Sequence, residues 1–101
     1  MHPSTNLERS VAERAKRFAS LGDPARLAIL EHLRRDTHCL CEMQDDLGMA
    51  PNLLSYHMRI LREAGLVSGR RNGRRVEYRI EPQGFEELGS ELEAFGVAEE
   101  R

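Results

Sequence analysis

Long hydrophobic runs are missing from this chain of 101 residues: its apolar stretches are only a few residues each, too short for a membrane-spanning helix. No charged-then-apolar segment opens it in the manner of a secretory signal. Net charge is small, with 15 Lys and Arg against 17 Asp and Glu. Cysteine is scarce. Cys39 and Cys41 are the only two, too few for a disulfide framework, and a bond between thiols two residues apart would close a strained ring. The expectation is a pair of free thiols in a reducing, cytoplasmic compartment. No internal repeat or low-complexity linker is present. What remains is enough for one modest core: 40% of the residues are apolar, and a chain of this size buries roughly two-thirds of its unfolded surface. A single domain over 1–101 follows, with little room for a second domain or a deep enzyme pocket.

The small net charge hides a division. Residues 1–80 carry a net charge of +4 and residues 81–101 one of −6. Within 51–80, seven arginines stand against Glu63 and Glu77 alone. A basic middle of this kind is an electrostatic footprint for phosphate backbones, although a solvated charged face has the same composition.

Periodicity divides the chain into six elements. Residues 1–6 read as a loose terminus ending in a candidate N-cap, Asn6. Leu7, Val11, Ala15, Phe18 and Leu21 then make one stripe of an amphipathic helix over 7–21. Gly22-Asp23-Pro24 ends it and opens a second helix, with Asp at the N-cap and Pro at the first helical position; this helix runs to about Arg35 and buries Leu27, Leu30 and Leu33. A third helix spans roughly Cys39 to Leu47 and ends at Gly48, and a fourth runs from Pro51 to Ala64 and ends at Gly65. Asn72-Gly73 is a strong hairpin signal between a strand beginning at Leu66-Val67 and a returning strand. That return alternates Val76, Tyr78 and Ile80 with Arg75, Glu77 and Arg79. A last helix, 84–96, carries Phe85, Leu88, Leu92 and Phe95 at seam-like spacing.

The order helix-helix-helix-helix-hairpin-helix gives a mainly α fold with a β-hairpin, a winged helix-turn-helix. Residues 39–64 form the reading unit and 66–80 the wing. On a helical wheel, Leu53, Leu54, Met58, Ile60, Leu61 and Ala64 share one arc of helix 51–64, while Asn52, Ser55, Tyr56, Arg59, Arg62 and Glu63 share the other. The second arc offers an amide, a hydroxyl, a phenol and arginines suited to base edges and phosphates in a major groove. Taken alone, it is also an ordinary exposed face. The wing adds Arg70, Arg71, Arg74 and Arg75 around the turn, four like charges that repel one another unless a polyanion is near. His57 falls in the apolar arc and is expected to be buried, whereas His32 lies at the edge of its stripe and is expected at the surface. No two histidines stand at the i, i+3 or i, i+4 spacing of a helical metal site.

These blocks resemble the ArsR/SmtB family of winged-helix repressors. Phe18–Leu30 is similar to the family's opening motif around Leu-Gly-Asp-Pro. Asp46–Val67 resembles its helix-turn-helix with the Ser-x-His core, and Arg71–Ile80 its wing. The resemblance covers about 13–82 without gaps; Ala50 departs from it, standing where a polar N-cap is usual. It implies a homodimer through helices 7–21 and 84–96, with two recognition helices about 34 Å apart on double-stranded operator DNA.

Thr37–Met43, with Cys39-Leu40-Cys41 at its centre, resembles the metal box of the arsenic-, antimony-, cadmium- and lead-responsive members. The resemblance implies Cys39 and Cys41 as ligands of a soft effector, As(III), Sb(III), Cd(II) or Pb(II), with His38 as a candidate third donor. Gln44 stands where some arsenic sensors have a third cysteine, and the last helix lacks the Asp and His of the family's zinc site. Spacing adds a separate constraint. Residues i and i+2 lie about 200° apart on an α-helix, so both sulfurs can meet one ion only if the chain near 38–41 is extended or unwound. The implied mechanism is a non-enzymatic repressor that leaves its operator when the ion binds. Alternatives are two structural thiols, a thiol-oxidation switch (for which only His38 offers a basic neighbour), a small thiol oxidoreductase, and a winged helix used for protein contact.

Overall fold

The structure, a computed structural model, describes residues 6–34 and 38–97, with side chains from residue 10 onward. The loose terminus expected for 1–6 therefore lies almost wholly outside the described residues. Five helices and a small sheet follow in order: α1 (Asn6–Ser20), α2 (Pro24–Leu33), β1 (His38–Cys39), α3 (Leu40–Leu47), α4 (Pro51–Glu63), β2 (Val67–Asn72), β3 (Arg75–Ile80) and α5 (Pro82–Gly96). The winged helix-turn-helix read from the sequence is the observed fold.

Local chemistry sets the boundaries. Asp23 caps α2 by accepting from the Ala25 N–H at 2.8 Å, and this hydrogen bond holds its carboxyl below the usual pKa. Gly48 ends α3 in the left-handed region at φ 61°, and its N–H donates to the Gln44 carbonyl. That conformation, costly for a residue with a Cβ, makes the tight turn into α4. Pro51 starts α4 without a side-chain cap at Ala50, as the departure at that position implies.

The sheet has one more strand than the sequence suggested. β3 is central, paired antiparallel with β2 from Val67↔Ile80 to Asn72↔Arg75 and with β1 through His38↔Tyr78 and Cys39↔Glu77. Cys39 therefore lies in extended backbone before α3 rather than inside it. A two-residue strand has too short a pattern to stand out in sequence.

The core gathers Ile29, Leu30 and Leu33 from α2, Met43 from α3, Leu54, Met58 and Leu61 from α4, then Leu66, Val67, Tyr78 and Leu88. Burying each large side chain contributes about 1.5–3 kcal/mol. Two expected core residues are on the surface: Leu27 is 52% exposed and Leu53 48%. Ile29 fills the α2 position assigned to Leu27, because the core lies on the Ile29–Leu33 side of that helix. Leu53, at the edge of its arc, points away from the α2–α3 layer that covers Leu54 and Leu61.

Gly84, buried in the first turn of α5, packs on the backbone of Gly65 just after α4; a Cβ there would run into the Gly65 carbonyl oxygen. Backbone cannot move aside as a flexible side chain can. Gly84→Ala is expected to cost about 1–3 kcal/mol, read from the urea midpoint at an unchanged m-value.

Candidate nucleic-acid interface and sulfur pair

Two arginines brace α4 from its inner side. Arg17 of α1 donates through Nε to the Ala64 carbonyl at 3.1 Å and through Nη1 to Glu87 of α5 at 2.6 Å. Arg26 of α2 donates through Nε to the Ser20 carbonyl at 2.6 Å, and its Nη1 lies 3.0 Å from His57 Nδ1. Arginine can only donate, so the His57 ring accepts at Nδ1 in this contact. The histidine is buried, as expected from its arc. The sequence offered no sign of these two braces, since a long side chain that spans helices leaves no periodic mark.

The outer face of α4 is polar and exposed. Asn52, Ser55, Tyr56, Arg59 and Arg62 are all exposed and together line an open depression of about 430 Å³, floored by Leu40 and Tyr78. Arg59 lies over the Tyr56 ring, 5.9 Å from its centroid, within reach of a weak cation–π contact. On the wing, Arg70, Arg71, Arg74 and Arg75 are exposed around the Gly73-Arg74 turn. Among the described residues Arg59, Arg62, Arg70, Arg71 and Arg74 have no ion-pair partner. Arg75 does: it lies 3.8 Å from Glu42 Oε2 and donates to Cys39 Sγ at 3.0 Å.

The cysteines are joined. Cys39 and Cys41 form a disulfide, with their Cα atoms 5.3 Å apart, which corrects the expectation of free thiols. The bond is accommodated because Cys39 is extended, at φ −86° and ψ 161°, while Cys41 is in the first turn of α3. The unwinding that spacing demanded for convergence is thus built into the strand–helix junction. It also removes the free-thiol basis for placing the chain in a reducing compartment. Cys39 serves as the N-cap of α3: its Sγ accepts from the Glu42 N–H at 3.3 Å, and its own N–H donates to Glu42 Oε1 at 3.1 Å. This is a capping box with sulfur in place of a hydroxyl. Cys39 is buried and Cys41 exposed. Arg75 is also a basic neighbour that the sequence did not reveal, so His38 is not alone in that role.

Around the pair, His38 Nδ1 lies 3.6 Å from Glu42 Oε1, and the His38 ring packs against His32, tilted by 46° with 4.3 Å between centroids. His32, expected at the surface, is partly buried, with Nε2 3.4 Å from Asp46 Oδ2. The β1 strand brings the two histidines together, a contact invisible to helical spacing. Among the described residues no three His, Cys, Asp or Glu side chains are gathered to hold one metal ion. The two sulfurs converge; a third protein donor does not join them.

The far side of the molecule is apolar and acidic. Val11, Leu92, Phe95 and Val97 are exposed, and Val11, Arg14, Ala15, Phe18, Glu91 and Phe95 line a cavity of about 190 Å³ between α1 and α5. No helix among the described residues is long and apolar enough to cross a membrane.

A sequence profile of bacterial regulatory proteins of the arsR family matches residues 23–68. The HTH-type transcriptional repressor SmtB of Mycobacterium tuberculosis is 43% identical over 61 residues, 60% of this chain and 45% of SmtB. The chain thus spans about half the length of that relative. An ArsR-like transcriptional regulator from Rhodococcus sp. RHA1 superposes with a TM-score of 0.79 at 29% identity, covering 86% of this chain and 82% of that one. The homodimeric winged helix-turn-helix DNA-binding domain Mb0332 of Mycobacterium bovis covers all of both chains at a TM-score of 0.73 and 21% identity, a likeness of fold.

Proposed function

The chain belongs to the ArsR family of bacterial regulatory proteins, a family of transcription regulators rather than enzymes, and from that premise we propose that it is a homodimeric, operator-binding repressor in the cytoplasm whose grip on DNA is set at Cys39 and Cys41. One observation carries the DNA reading. Five side chains of α4 able to contact bases or phosphates line a single concavity, beside a wing whose Arg70, Arg71 and Arg74 have no protein partner among the described residues. Arginines left uncompensated on a preformed surface favour a polyanion as the missing partner. Asn52, Ser55, Tyr56, Arg59 and Arg62 read the groove, and the wing arginines hold the backbone.

The effector is a soft metal or metalloid ion, As(III), Sb(III), Cd(II) or Pb(II), taken by the reduced pair. Convergence of both sulfurs at the head of α3 supports this reading, since thiolates select soft ions. With no third protein donor gathered at the pair among the described residues, a small exogenous thiol or water completes the donor set unless capture draws in the adjacent His38. Capture there loads the cap of the helix that supports α4, and the ion's preference for the altered cap lowers operator affinity. A second reading, in which disulfide formation is itself the signal, is favoured by the bond between the cysteines and by Arg75 beside Cys39.

The deciding experiment titrates reduced protein with arsenite, Cd(II), Pb(II) and Zn(II) on a duplex from upstream of its own gene, following thiolate charge-transfer absorption in the same cuvette. One soft ion is expected to bind at one or fewer equivalents per protomer and free the DNA. Cys39→Ser with Cys41→Ser is expected to keep DNA affinity within about twofold and to lose the release, a coupling of typically 5–150-fold. Release of the double variant by the same ion would place the effector site elsewhere. Release by a low-molecular-weight disulfide, with no response to any ion, would select the second reading.

A further inference from the structure

Arg75 differs from its neighbours on the wing. Its guanidinium is turned back from the hairpin tip onto the sensor segment, donating to Cys39 Sγ at 3.0 Å and lying 3.8 Å from Glu42 Oε2, while the side chain remains 52% exposed. Two other constraints meet at the same sulfur, the Glu42 N–H at 3.3 Å and the bond to Cys41, and the backbone of the same residue is held by its pairing with Glu77 of β3. The helix cap and the strand pairing cannot shift without breaking secondary structure. A guanidinium on a long flexible stem can.

We propose that Arg75 is the positioning residue that carries the state of the Cys39–Cys41 pair to the wing, because the sulfur and the DNA backbone compete for its one guanidinium. A change in the acceptor at Cys39 Sγ, by making or opening the bond to Cys41 or by taking up a thiophilic ion, alters the hold on Arg75. It thereby alters how many phosphates the wing neutralises. β1 makes this possible by pairing the cysteine-bearing segment directly with the wing's central strand. The sensor then reaches DNA through one side chain at the wing, in addition to any strain passed from α3 to α4. The inference rests on the reading that the sulfur pair sets operator affinity.

The test measures the dissociation constant for the operator duplex across a range of salt for wild type, Arg75→Gln and Arg74→Gln. Each is taken as the disulfide form, as the reduced form, and as the reduced form with one equivalent of Cd(II). Reduction uses a dithiol, which passes two electrons and two protons to Cys39 and Cys41 and closes to its own disulfide. Wild type is expected to differ at least about fivefold between two of these states. Its salt slope should change by about two per dimer, one guanidinium in each protomer. In Arg75→Gln the states should fall within about twofold of one another, with equal slopes. Arg74→Gln, the neighbour with no protein partner among the described residues, should weaken every state alike and keep the wild-type ratio.

An unchanged ratio in Arg75→Gln would overturn the coupling role and leave the sulfur switch standing. Equal flattening by Arg74→Gln would overturn it too, since the effect would then belong to wing charge in general. A wild type that binds identically in all three states would remove the switch itself, and the coupling with it.

Discussion

Arg59→Ala is expected to lower operator affinity about a hundredfold while leaving non-specific duplex binding nearly intact. The estimate follows from two half-sites, each losing a contact of about 1–3 kcal/mol. Arg59 lies in the middle of the exposed α4 face, where its guanidinium can reach a base edge, and it stands over the Tyr56 ring. Arg71→Ala should behave differently. At an exposed position on the wing, it has the character of a backbone contact, and its loss should weaken specific and random duplexes alike. The slope of log K against log salt should fall by about two per dimer. Titrations of an operator and a scrambled duplex at several salt concentrations separate the two. If Arg59→Ala weakened both duplexes equally, α4 would be a phosphate clamp and sequence would be read elsewhere.

How much of this was legible in the sequence depends on the range of the interaction. The α4 face was readable because helical period sorts its residues without outside help: Leu54, Met58 and Leu61 went inward, and Asn52, Ser55, Tyr56, Arg59 and Arg62 outward. Turn chemistry placed the cap at Asp23 for the same reason, and the hairpin to within one residue: the turn falls on Gly73-Arg74, with Asn72 paired to Arg75 at the end of the strands. Leu53 and Leu27 failed at the edges of their arcs, where tertiary packing decides what period alone leaves open. The sulfur site was harder to read. Its decisive contact, Arg75 on Cys39, joins residues 36 positions apart through a two-residue strand. One local clue was present: Cys39 with Glu42 three residues on has the spacing of a capping box, once sulfur is admitted as the capping acceptor. That clue places Cys39 before the helix and shows how sulfurs two residues apart can meet.

Phe95→Glu is expected to have the larger effect on binding, turning a dimer into a monomer and lowering operator affinity by about a thousandfold or more. Phe95 is 78% exposed and Leu92 58%, beside Val11 and the cavity between α1 and α5. A large apolar surface left open on one protomer marks an interaction face. On the same face Glu91 Oε2 lies 3.5 Å from Arg14 Nε, an ion pair that ties α5 to α1. Introducing a carboxylate at 95 adds repulsion to a helix already carrying Glu86, Glu87, Glu91 and Glu93. The fold of each protomer should survive, because Phe95 contributes nothing to the core around Leu61 and Leu88. DNA affinity should not. In the dimer, binding of one half-site raises the effective concentration of the second head to the millimolar range; a monomer has no such gain. Sedimentation, far-ultraviolet circular dichroism and operator titration on one preparation check all three points. A Phe95→Glu protein that stays dimeric and helical would move the interface off α5, and the exposed face between α1 and α5 would need another partner.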